Sequence, residues 1–97
     1  VVLDKSRASL PDNPFRWTAP KVAAIEVGYS IYAASVLNNG NADIKEIMTY
    51  IEASFKIDLG DYYRTYLAMR ERKRDRTPFL NSLIHKLLRK MDEDDNI

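Results

Sequence analysis

The sequence predicts an all-α fold, a compact four-helix domain, on three observations. Glycine and proline number only three and four among 97 residues, and the prolines gather near the N-terminal end, leaving long stretches free of helix breakers. Apolar residues recur three and four positions apart through four successive segments, the spacing that lines one face of a helix. The one alternating run, Phe55-Lys56-Ile57-Asp58-Leu59, has no second run to pair with and makes a poor sheet.

Residues 1–17 read as an irregular incoming segment, because Pro11 and Pro14 lack amide donors and Asp12-Asn13 favours a turn. Phe15 and Trp17 are expected to pin it onto the domain. Thr18 suits an N-cap and Pro20 a first helical turn, so helix one runs to about Leu37, with Val22, Ile25, Tyr29, Tyr32, Ala33 and Val36 as its stripe. Glu26 borders that stripe. Half-buried, it needs a tyrosine hydroxyl, an Arg or a backbone donor; at the edge, it simply sits in water.

Asn38-Asn39-Gly40-Asn41 ends helix one, since Asn and Gly tolerate the left-handed conformation common past a helix C-terminus. Asp43 followed by Glu46 has the form of a capping box. Helix two then carries Ile44, Ile47, Met48, Ile51 and Phe55. After a break with Gly60 as its turn, Asp58 or Asp61 caps helix three, which extends to about Lys73 with Leu59, Tyr62, Tyr63, Tyr66, Leu67 and Met69 as apolar positions. Thr77 caps and Pro78 opens helix four, where Phe79, Leu80, Leu83, Ile84, Leu87, Leu88 and Met91 form a paired row. Residues 92–97 read as a frayed acidic tail, so the domain proper spans 18–91.

Composition excludes several function classes. Cysteine is absent and His85, placed on the solvent side of helix four, is the lone histidine, so no catalytic triad or histidine-rich metal site is expected. Gly28 and Gly60 stand apart, without a phosphate-cradling loop. The expectation is a non-enzymatic protein without catalytic residues, metal or cofactor. Residues 22–37 are too short and too interrupted by Glu26, Ser30 and Ser35 to cross a bilayer. No membrane partner and a cytoplasmic location are therefore expected. The Val1-Val2-Leu3 start, without Met or a basic leader, suggests a piece of a longer protein.

The net charge of +1 hides a segregated field. Residues 1–60 hold six Lys/Arg against seven Asp/Glu, 61–90 hold nine against three, and 91–97 hold four acids and no base. Such a concentrated positive patch attracts polyanions, although helix surfaces are commonly charged. Cations at the end of helix three complement its macrodipole, which accounts for Arg70, Arg72 and Lys73. Arg76 has no such excuse, because it precedes the start of helix four. Helices two and three also have the layout of a helix-turn-helix, in which the second helix enters the major groove. Arg64, Thr65, Ala68 and Arg72 fall at helical spacings, so Arg64 is a candidate guanine reader, Thr65 a phosphate or thymine contact, and Arg72 a further candidate DNA contact from the same helix. Arg70, Lys73, Arg74 and Arg76 are the candidate phosphate contacts. Tyr62, Tyr63 and Tyr66 fit core positions with wet hydroxyls better than a base-stacking platform.

Several blocks in one order resemble the RteC family: Phe15-Arg16-Trp17-Thr18, the helix over 22–37 with Glu26, and Asn38-Asn39-Gly40-Asn41-Ala42-Asp43-Ile44-Lys45-Glu46-Ile47. Residues 55–66 and the Arg72-Lys73 and Arg76-Thr77-Pro78-Phe79-Leu80 blocks continue the likeness, which covers about 15–95. It corresponds to that family's C-terminal domain. The resemblance implies a helix-turn-helix or winged-helix module in a regulator of excision carried on Bacteroides-type conjugative transposons. There, tetracycline exposure leads to its production, and it binds double-stranded DNA upstream of the excision genes. The competing expectation is a helical protein–protein interaction or dimerisation module without direct DNA contact. Its surface would be the apolar face of helix three together with Phe15 and Trp17.

Overall fold

The computed structural model describes residues 14–96. Four helices follow one another: α1 (Lys21–Ala34), α2 (Ile44–Phe55), α3 (Tyr62–Arg70) and α4 (Pro78–Asp95), with a 3-10 turn at Asn38–Gly40 between α1 and α2. No strand occurs among the described residues, so no β-wing accompanies these helices. Most of the 1–17 segment lies outside the described residues, as does Ile97.

Helix α1 is the hub. It packs against α2, α3 and α4, and these are the principal helix contacts in the fold. That position explains its sequence, because a helix with neighbours on several sides is apolar around most of its circumference. Ala23, Ala24, Ile25 and Gly28 are buried, together with Glu26. Its limits are tighter than the spacing suggests. Pro20 rather than Thr18 is the N-cap, and Ser35 turns left-handed (φ 56°) and closes the helix before Leu37.

Ile25, Met48 and Leu59 are the fully buried centre, ringed by Ala24, Ile47, Ile51 and Met69. Gly28 makes the α1–α2 contact possible. A Cβ there would stand 2.7 Å from both Sδ and Cε of Met48. Trp17 joins the core from outside the helices. Its amide donates to the Phe55 carbonyl (2.9 Å), and its ring meets Phe55 and Phe79 at centroid distances of 6.0 and 5.7 Å. Phe15 stays mostly exposed.

Local chemistry sets the remaining ends. The α2 capping box is complete: the Glu46 amide donates to Asp43 Oδ1 (2.8 Å), and the Asp43 amide donates to Glu46 Oε1 (2.9 Å). The loop to α3 is tied by the Leu59 amide donating to Glu52 Oε2 (2.8 Å) and the Gly60 amide donating to Asp58 Oδ1 (2.9 Å). Asp61, not Asp58, caps α3, accepting from the Arg64 amide at 3.2 Å.

Two ends depart from expectation. Helix α3 stops at Arg70 rather than Lys73, because the Glu71 and Arg72 amides donate to the carbonyls three residues back (both 3.2 Å) and tighten the chain into a turn. Helix α4 continues through the acids to Asp95, with Lys90 Nζ on Asp94 Oδ1 at 2.7 Å, so residues 92–95 form a helical turn rather than a frayed tail.

Candidate nucleic-acid interface

The basic residues enter the structure in two settings. Arg64 projects from the first turn of α3 with its side chain 85% exposed, and Nε lies 3.7 Å from Asp61 Oδ2. Thr65 is half-buried, and its Oγ1 donates to the Asp61 carbonyl at 3.4 Å. Arg70 closes α3, and Lys73, Arg74 and Arg76 follow on the link to α4; all four are exposed. Among the described residues no carboxylate lies within ion-pair distance of these four.

Arg72 behaves differently. Because α3 ends at Arg70, Arg72 leaves the helical register that would align it with Arg64 and Ala68. It is half-buried, and one of its terminal nitrogens, NH1, is buried without a hydrogen-bond partner among the described residues. Helix geometry separates the remaining cations too. At about 100° per residue, Arg64 and Arg70 point about 120° apart around α3. The structure therefore brings Arg70 and Arg76 together and leaves Arg64 and Thr65 on another side of the same helix.

Arg70 and Arg76 meet at a cleft of roughly 430 Å³ between α1, the end of α3 and the start of α4, where Glu26, Tyr29, Thr77 and Leu80 join them. Glu26 is only 3% exposed. Its Oε2 accepts from the Leu80 amide (2.8 Å) and its Oε1 from the Phe79 amide (3.4 Å). Glu26 thus caps α4 from the middle of α1, and its negative charge sits against the positive end of that helix. Thr77, the residue placed to cap α4, makes no side-chain cap at all. Spacing could not reveal this cap, because Glu26 and its partners stand 53 and 54 residues apart in the chain.

Tyr29, Tyr62 and Tyr66 are structural. Tyr29 stacks on Tyr66 with centroids 3.9 Å apart and planes 8° from parallel, and Tyr62 lies 6.4 Å away on the same cluster. Burial pushes the Tyr29 phenol above its ordinary value of 10.0, reinforced by Tyr62, Tyr66, Tyr63 and Asp61. Tyr62 and Tyr66 are thus engaged within the domain, whereas Tyr63 is 58% exposed, unlike the core position its spacing suggests. No group of His, Asp or Glu among the described residues could hold a metal ion, and no helix is long and apolar enough to cross a membrane.

No curated protein and no solved structure matches this chain. A family model described as RteC protein matches residues 3–95. That span holds the α1 hub, the Asp43–Glu46 capping box, the α3 segment and the basic link, and on it the chain belongs to the RteC family.

Proposed function

We propose that this chain is the DNA-binding domain of an RteC-like transcriptional regulator that controls excision and transfer genes of a conjugative transposon. The observation that carries the proposal is the set of exposed cations on α3 and the following link: Arg64, Arg70, Lys73, Arg74 and Arg76. Only Arg64 has a carboxylate within ion-pair distance among the described residues. An ion pair this exposed is worth little, so a phosphate or base edge can displace Asp61 at small cost. Family membership supports the regulatory context.

In this reading Arg64 and Thr65 face the groove from the first two turns of α3. Arg70, Lys73, Arg74 and Arg76 hold backbone phosphates, and Arg72 takes no part. Each phosphate contact releases condensed counterions, so log K falls with log salt by about 0.9 per contact, a slope of roughly −4 for four or five contacts. Anisotropy titrations of duplex DNA across a salt series measure that slope. Replacing Arg70, Lys73, Arg74 and Arg76 together by Gln flattens it toward zero. An unchanged slope in the variant rejects the assignment, and tighter binding to single strands than to duplex rejects groove reading.

The interaction-module reading keeps Phe15 and Tyr63 as exposed rings but less of the α3 face than the spacing suggests. Tyr62, Tyr66 and Leu67 are half-buried and Met69 is buried, so the apolar side of α3 is largely spent inside the domain.

A further inference from the structure

The largest feature that DNA binding leaves unused is the outer half of α4. Leu83, Ile84, Leu87, Leu88 and Met91 are 43–56% exposed, a continuous aliphatic strip on a helix whose far half touches nothing else in the domain's core. Monomeric proteins rarely leave such a strip in water. Leu80, Ile84, Leu87 and Met91 fall within about 40° of one line along the helix. The line starts at Leu80, on the wall of the Arg70–Arg76 cleft, and runs outward from it.

The last turn of α4 carries charge of the sign a helix end disfavours, and exposed cations flank its start beside the Glu26 cap. Arg74 and Arg76 precede its positive N-terminus, and Asp92, Glu93, Asp94 and Asp95 occupy its last turn, at the negative end. Among the described residues only Asp94 is offset by a cation, Lys90. A parallel copy would set acids beside acids and compound the mismatch at the C-terminal end. An antiparallel copy opposes the two dipoles and places the acidic end of each helix against the basic start of the other.

We propose that a second copy of this chain occupies the strip, with the two α4 helices antiparallel about a two-fold axis. The register follows from the line of apolar residues. Ile84 lies opposite Leu87 of the second copy, and Leu80 lies opposite its Met91. The acidic turn then reaches Arg76 and the cleft, where Met91 meets the apolar wall and the carboxylates face Arg70 and Arg76. An isologous contact of this kind closes on itself and gives a dimer, not a filament. The dimer rests on α4 and the cleft at its start, and it does not require the DNA-binding reading.

Sedimentation equilibrium of the chain across a concentration series reads the association directly. The expected result is a monomer–dimer equilibrium. In Leu87→Glu it weakens at least about a hundredfold, because the two-fold axis counts each lost apolar contact twice. Leu87 is exposed in the monomer, so unchanged helical circular dichroism verifies that the variant still folds. The absence of native cysteine allows the orientation to be read by cross-linking. An oxidised mixture of Arg76→Cys and Asp95→Cys chains is expected to form the mixed disulfide over either symmetric one. A monomer at every concentration overturns the proposal, whether the strip is bare or covered by the chain's own first residues. A dimer indifferent to Leu87→Glu, or a dominant Asp95→Cys symmetric cross-link, overturns it equally.

Discussion

Glu26 shows how one side chain can connect two distant parts of a small domain. A carboxylate buried this deeply would be costly if unpaired, and the two α4 amides supply its compensation. Glu26→Ala leaves both amides without an acceptor and is expected to lower stability by about 2–3 kcal/mol, read from urea midpoints. Glu26→Gln keeps one acceptor oxygen but turns a donor toward the other amide, so about half that loss is expected. An unaltered midpoint in Glu26→Ala would mean that α4 does not depend on this cap. Tyr29 gives the pH dependence. Its folded phenol holds a proton that the unfolded chain has already released, since the folded value lies above 10.0. Stability is therefore intact below pH 10 and falls as pH rises through the folded value. Tyr29→Phe is expected to remove this share of the alkaline loss, leaving a flatter plot of urea midpoint against pH.

Among the elements, α1 and α2 depend most on close approach. Glycine inside a helix is unfavourable by about 1 kcal/mol relative to Ala, yet Gly28 lies mid-α1 because Met48 fills the space a Cβ would need. Gly28→Val is expected to destabilise by about 1–3 kcal/mol through overpacking, despite removing a glycine from a helix. A thermal melt decides the sign, and a rise in Tm would show that Met48 has room to move. Helix α3 teaches the opposite lesson about registers. Extended to Lys73, it would align Arg72 with Arg64. Ended at Arg70, it turns Arg72 back toward the domain and divides the basic residues between two faces.

For the whole molecule, burial is uneven. The centre of the core lies between α1, α2, Leu59 and Met69, whereas no residue of α4 is buried. Hydrogen exchange should follow that gradient. Amides of α1 are expected to exchange only on global unfolding, and those of α4 beyond Leu83 by local opening in dilute solution. Raising the protein concentration is expected to slow exchange selectively in the outer half of α4 as copies associate. Arg70 and Arg76 face acids in the dimer and phosphates in the DNA complex, so the second copy and the duplex compete for them. Equal protection along α4 at all dilutions would contradict this division of the molecule into a core and a projecting arm.

Four helices, the α2 capping box, the proline start of α4 and the RteC likeness were legible in the chain, because periodicity, caps and breakers act over a few neighbouring residues. The same range limits what they reveal. Glu26 as the cap of α4, Arg72 folded inward and the pairing of Arg70 with Arg76 all join residues through packing, and no local spacing encodes them. The apolar row of α4 was plain from the start, but a stripe looks the same whether it faces a core or water. Only the tertiary structure decided that its outer half is uncovered among the described residues, since the core gathers around α1, α2, Leu59 and Met69.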